Sequence, residues 1–160
     1  MIPLTTLLPF FAPRRRRRAG TLAANVAEGT REFDSLVPDG VVPARFLLVK
    51  RGSDAAHFTL AGASDRPIGV CEDRTSVAGT PLPGLPLRVS RLGVSTRSKT
   101  VAVSGNVAPD DFLVSAASGY AQTLPTAAGT YWVVGVADQA ASAGGVVEFI
   151  GCLPYKVVVP

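Results

Sequence analysis

YWVVGVADQAASAGGVVEFI, residues 131–150, reads as two apolar runs separated by a small polar loop. The first run closes on Gly135-Val136, the loop carries Asp138 and the Gly144-Gly145 pair, and the second run starts at Val146. Short apolar runs broken by glycine-bearing turns are the pattern of paired β-strands. A fainter version lies upstream in residues 67–89, PIGVCEDRTSVAGTPLPGLPLRV. There Gly69-Val70 precedes an acidic loop, and apolar residues return in alternation at Leu85, Leu87 and Val89.

Extending this reading outward predicts strands over residues 45–50, 57–60, 68–71, 86–92, 100–104, 112–115, 131–137 and 146–150, with Arg51, Gly52, Ser53 and Asp54 turning between the first two. The 16 glycines and 13 prolines favour short elements and many turns. An α/β fold needs helices of roughly ten residues or more between its strands, and no such periodicity is present. The expected fold is all-β, a small antiparallel barrel or sandwich. The chain's 160 residues suit one such domain with an appendage. A charge-free span at 112–137 is interrupted by Gly119, Gln122, Pro125 and Gly129, so no membrane-spanning helix is expected.

The net charge of +4 is localised. Residues 1–30 hold Arg14, Arg15, Arg16, Arg17 and Arg18 against Glu28, whereas residues 31–160 hold eleven basic and eleven acidic side chains. The expected organisation is an extended basic arm over 1–24, a connector over 25–44 with a short helical turn near 23–27, and a β-rich domain over 45–160. The arm offers Leu4, Leu7, Leu8, Phe10 and Phe11 as apolar anchors. Pro3, Pro9 and Pro13 keep it from forming a helix. Its arginines follow the apolar stretch instead of preceding it, which is the reverse of an export signal. Three readings of the arginine run stand at this point: a solvated tail, a phosphate-binding stripe, and an anchor on an acidic partner.

Residues able to carry catalysis are sparse. His57 is the only histidine, falls in an expected strand, and has no nucleophile motif beside it. Asp110-Asp111 and Glu72-Asp73 read as loop carboxylates, and Gly144-Gly145 as a turn without phosphate-loop features. Cys71 and Cys152 are expected to be reduced and buried, and with a single histidine they do not complete a zinc site. No cofactor or metal is expected. From residue 112 to 155 the only charged residues are Asp138 and Glu148. The aromatic and apolar residues there, Tyr131, Trp132, Val133, Val146, Phe149 and Tyr155, fit either a filled core or a seam between subunits.

The succession NVAEGTREFDSLVPDG (25–40), RFLLVKRGSD (45–54), RPIGVCED (66–73), VSGNVAPDDFLVSAASGYAQ (103–122) and YWVVGVADQAASAGGVVEFI (131–150) resembles the capsid decoration, or cement, proteins of tailed bacteriophages. The resemblance covers most of residues 25–153 and rests on the order of short motifs. It implies a β-tulip domain, a homotrimer, and a non-enzymatic virion protein on the outside of an icosahedral head that is assembled in the host cytoplasm. It further implies the major capsid protein as partner and an N-terminal arm reaching onto neighbours. The polyarginine run departs from the usual arm of such proteins. The competing function class is a nucleic-acid-binding β-barrel using Arg14 to Arg18. Against nucleic acid, the body has no basic excess and no aromatics interleaved with Lys and Arg.

Overall fold

The computed structural model describes residues 32–40, 44–73, 76–77, 80–81, 84–94 and 98–160. The arm expected over 1–24, with its leucine, phenylalanine and arginine anchors, lies outside the described residues. So does the helical turn expected near 23–27. Among the described residues twelve strands run in chain order: β1 Phe33–Pro38, β2 Leu47–Arg51, β3 His57–Leu60, β4 Gly69–Cys71, β5 Ser76–Val77, β6 Thr80–Pro81, β7 Leu87–Arg91, β8 Ser98–Ala102, β9 Phe112–Ser115, β10 Ala121–Thr123, β11 Gly129–Ala137 and β12 Val146–Val159. One 3₁₀ turn, Ala117–Gly119, precedes β10. Among the described residues no helix is long and apolar enough to cross a membrane.

The all-β architecture is therefore as expected, and it is built as two curved sheets. Strands β1-β3-β2-β4-β7 close into a five-stranded barrel, because β1 pairs with β7 on one side and with β3 on the other. The β1–β3 pair is parallel, and the other barrel pairs are antiparallel. The second sheet has the order β10-β9-β11-β12-β8 and curls until Val103 bridges Ala121, bringing its two margins together. β5 and β6 form a separate two-stranded ribbon.

Side-chain alternation explains why the two sheets stack. Val49 and Cys71 point into the barrel with Leu36, Phe58, Leu87 and Val89, forming one core. Their neighbours Leu48 and Val70 point out of the barrel, into a second core with Val101, Leu113, Val134, Val147 and Phe149. β2 and β4 are buried on both faces and accordingly read as continuous apolar runs. Each fully buried Leu or Phe contributes roughly 1.5–3 kcal/mol, so these shared strands bind barrel and sheet into one unit.

Polar contacts fix the junction. The loop after β3 offers three carbonyls: Ala61 O accepts from Gly119 N–H at 2.7 Å, Gly62 O from Ser115 Oγ at 2.8 Å, and Ser64 O from Trp132 Nε1 at 3.1 Å. Gly119 has φ +80°, and a Cβ there would lie 2.8 Å from Leu48 O, so both the turn and the close approach require glycine. Phe46 completes the link from the left-handed region, φ 66°. Its N–H donates to Cys71 O in the barrel at 2.6 Å, and its carbonyl accepts from Ala102 N–H in the second sheet at 2.7 Å.

Candidate functional site

The opening stretch forms the β11–β12 hairpin, and this hairpin outgrows its own sheet. β9 pairs with β11 only at Val133, Gly135 and Val136, and β8 pairs with β12 only between Val146 and Ile150. Beyond those limits Gly129, Thr130, Tyr131 and Trp132 face Val159, Val158, Val157 and Lys156 across a two-stranded ribbon. No third strand flanks it among the described residues. A two-stranded ribbon is marginal in water, and an unpaired apolar edge is a template for another chain. Leu153 is 64% exposed and Val158 71%, so apolar side chains sit on this element in contact with solvent.

One residue ties the ribbon back to the barrel. Besides donating to Ser64 O, the Trp132 ring lies 5.7 Å from the Arg66 guanidinium carbon and 5.2 Å from the Lys156 ammonium. Each cation faces the negative surface of the indole. Tyr131 Oη donates to Ala127 O at 3.0 Å, bracing the turn into β11.

The six residues singled out in this half of the chain thus divide three ways. Tyr131, Trp132 and Tyr155 belong to the ribbon, with Tyr155 opposite Val133 at its base. Val133 and Phe149 are core residues. Val146 is 51% exposed on the outer face of the second sheet. Val136 stands opposite both Phe112 and Ile150, placing the three side chains in one row across β9, β11 and β12. Phe112 and Ile150 are exposed, which makes this face unusually apolar.

Sequence reasoning missed β1, β5, β6 and β10 and the far half of β12. β1 is not among the expected strands, because FDSLVP is short and mixed in polarity; its role comes from pairing with β7 and β3. The expected strand over 146–150 ends at Ile150, whereas β12 runs on to Val159. The strand continues because the register shifts between Val133 and Gly135, so that residues 152–154 lie opposite Val134 alone. Proline is tolerated where no ladder hydrogen bond is needed.

The remaining candidates have local partners. Asp54 Oδ1 lies 2.7 Å from His57 Nδ1 and accepts from Ala56 N–H, capping the β2–β3 turn. That hydrogen bond raises the His57 pKa above its usual range and lowers that of Asp54. Asp111 Oδ2 accepts from Ala108 N–H and Thr123 Oγ1, and Asp110 takes φ 68°, so this pair forms a turn. Glu72 lies 3.6 Å from Arg88 Nε, and Asp73 Oδ2 accepts from Arg88 N–H. Both cysteines are free thiols; Cys71 is buried and Cys152 half-buried. Burial pushes the Cys71 thiol up to about 11. No group of three or more His, Cys, Asp and Glu among the described residues is arranged to hold a metal ion.

No known protein-family model matches the chain, and no curated protein matches it. Among solved structures, it is similar to the N base of head fiber gp8.5 of bacteriophage phi29. The likeness covers 74% of this chain and 92% of that one, at 18% sequence identity and a TM-score of 0.46. So distant a likeness assigns neither a family nor a function.

Proposed function

We propose that this chain is a structural protein of a tailed-phage virion, a decoration protein that sits on the outside of an icosahedral head. In this reading it forms a homotrimer and bridges major capsid subunits, with the 1–24 arm reaching onto neighbours. Its role is mechanical rather than catalytic. The observation that carries the proposal is the β11–β12 ribbon: an exposed, valine-rich element with no strand on either edge among the described residues, in a half-chain with only two charged residues between 112 and 155. Such an element gains most by joining another chain, either as an added strand or as a packed face. The order of motifs along residues 25–153 points to the same class of protein.

The physical logic is multivalency. Each copy in a trimer contributes a modest contact, and release requires all of them to let go together. In this scheme the arm's leucines and phenylalanines anchor apolar pockets, and Arg14 to Arg18 pair with carboxylates on the coat.

The decisive experiment is rebinding to purified undecorated heads, with full-length chain compared against a deletion of residues 1–24 and against Val158→Glu. Occupancy should fall for both variants while their circular dichroism matches the parent. Trimer mass in solution should be retained by the arm deletion. Undiminished occupancy by both variants would overturn the proposal. Tight, steeply salt-dependent binding of DNA or RNA by the full-length chain, lost with the arm, would instead favour the nucleic-acid reading of the arginine run.

A further inference from the structure

At the base of the ribbon, where Leu153 and Pro154 of β12 approach the barrel, lies a cleft of about 520 Å³. Its walls carry four cations, Lys50, Arg51, Arg66 and Arg91, and one carboxylate, Asp34. Two of the cations are already matched. Lys50 Nζ is 2.8 Å from Asp65, whose carboxyl this contact and the Gly62 N–H hold below its usual pKa range, and Arg91 Nε is 3.5 Å from Asp34. The other two are not: neither Arg51 nor Arg66 has an ion-pair partner among the described residues, and both are exposed. Arg51 donates only to the Ala55 carbonyl, and Arg66 only faces the Trp132 ring.

We propose that this cleft is a binding site for an acidic peptide segment of a protein partner, with Arg51 and Arg66 taking its carboxylates and the aliphatic floor at Ile68, Leu153 and Pro154 taking its apolar side chains. A guanidinium presents a planar fork that fits a carboxylate with two parallel hydrogen bonds. The lining contains no aromatic ring, so it offers bases no stacking platform, and Asp34 in the wall opposes a phosphate chain. Four cations against one carboxylate in the walls favour an acidic occupant over a basic one. The proposal deepens the decoration reading by naming the chemistry of the coat segment that the domain engages.

The test is fluorescence anisotropy of the full-length protein with a labelled peptide of alternating Glu and Leu. Its Lys-Leu counterpart and a thymidine oligonucleotide serve as comparison probes. The acidic peptide should bind, and the double variant Arg51→Gln/Arg66→Gln should weaken it by about tenfold or more. Arg45→Gln, outside the cleft, should leave it unchanged. Both substituted residues are exposed, so the double variant should still melt cooperatively with the parent's circular dichroism, and loss of binding is not loss of fold. Binding that ignores the double substitution, equal binding of the Lys-Leu peptide, or preference for the oligonucleotide overturns the cleft assignment. Rebinding to heads separates the two ideas. Normal decoration by a double variant that no longer binds the peptide overturns the cleft's role, while peptide binding by a protein that decorates no head overturns the decoration reading and leaves the cleft standing.

Discussion

The Lys99 ammonium, on a side chain only 1% exposed, lies 2.7 Å from Ser90 Oγ. β8 thereby sends its lysine into the barrel's β7, and Glu32 stands 3.9 Å away as a partial counter-charge. Burial lowers the Lys99 pKa, and Glu32 opposes that shift without cancelling it. The unfolded chain therefore keeps this proton to higher pH than the folded one. The penalty of holding the charge is relieved as pH rises toward 10.5 and is felt in full once pH falls below the lowered folded value.

Lys99→Met should accordingly be neutral or stabilising by about 1–4 kcal/mol at pH 7, because a buried charge gives way to an apolar chain of similar length. Its advantage should shrink as pH approaches 10.5. Lys99→Ala should destabilise instead, since it leaves a cavity between the sheets. Thermal melts of the three proteins from pH 7 to 10.5 check both statements. A Met variant markedly less stable than the parent at pH 7 would count against this account.

Cys71 acts in the opposite sense. Its thiol, buried in the barrel core, is raised from 9 to about 11. Stability from the neutral thiol is whole below pH 9 and is lost as pH rises through about 11. Cys71→Ala should cost about 1 kcal/mol in packing at pH 7 and should remove this alkaline loss. Cys71 should also resist thiol reagents at neutral pH until the barrel opens, which a reaction time course with and without denaturant will show.

Val133 and Val146 look equivalent as valines in apolar runs, yet the fold separates them. Val133 is buried beneath the ribbon's base, so Val133→Glu should cost at least about 3 kcal/mol and abolish cooperative melting. Val146 stands on the outer face, so Val146→Glu should melt like the parent. Any defect it shows should be confined to assembly, read as solution mass. Equal destabilisation of both variants would place Val146 wrongly.

Gly119→Ala should lower stability by roughly 2 kcal/mol or more. It combines a left-handed backbone with a Cβ pressed against Leu48 O and the Leu60 side chain. Gly144→Ala offers the comparison: φ is again positive, but the surroundings are open. Its cost should be limited to backbone strain, about 1 kcal/mol. Denaturant midpoints measured side by side separate strain from collision.

The strands legible in the sequence were those whose pattern is set by local burial. His57–Leu60 and Phe112–Ser115 fall where alternation and turn residues place them. The LLV and VC runs of β2 and β4 also read as strands, although their burial on both faces depends on a second sheet that no single segment announces. Long-range pairing explains what was hidden. β1 owes its state to β7 and β3, and β10 is only three residues long, held by β9. The ribbon's tyrosines and tryptophan were visible as candidates. The cleft was not, because Lys50, Arg51, Arg66 and Arg91 meet only after the barrel closes.

Closure through β1 also determines how the domain bears load. The chain enters β1 at Phe33, and the strand is held by β7 over Phe33 to Leu36 and by β3 at Val37 and Pro38. Hydrogen bonds of the antiparallel β1–β7 ladder lie across the strand direction, and those of the parallel β1–β3 pair slant across it. Tension drawn along β1 from the N-terminal side therefore meets two flanking ladders in shear, with their bonds loaded together instead of unzipped singly. The first strand of the barrel is a mechanical clamp, and the domain should yield to a pull from that end only at a force that ruptures several bonds at once.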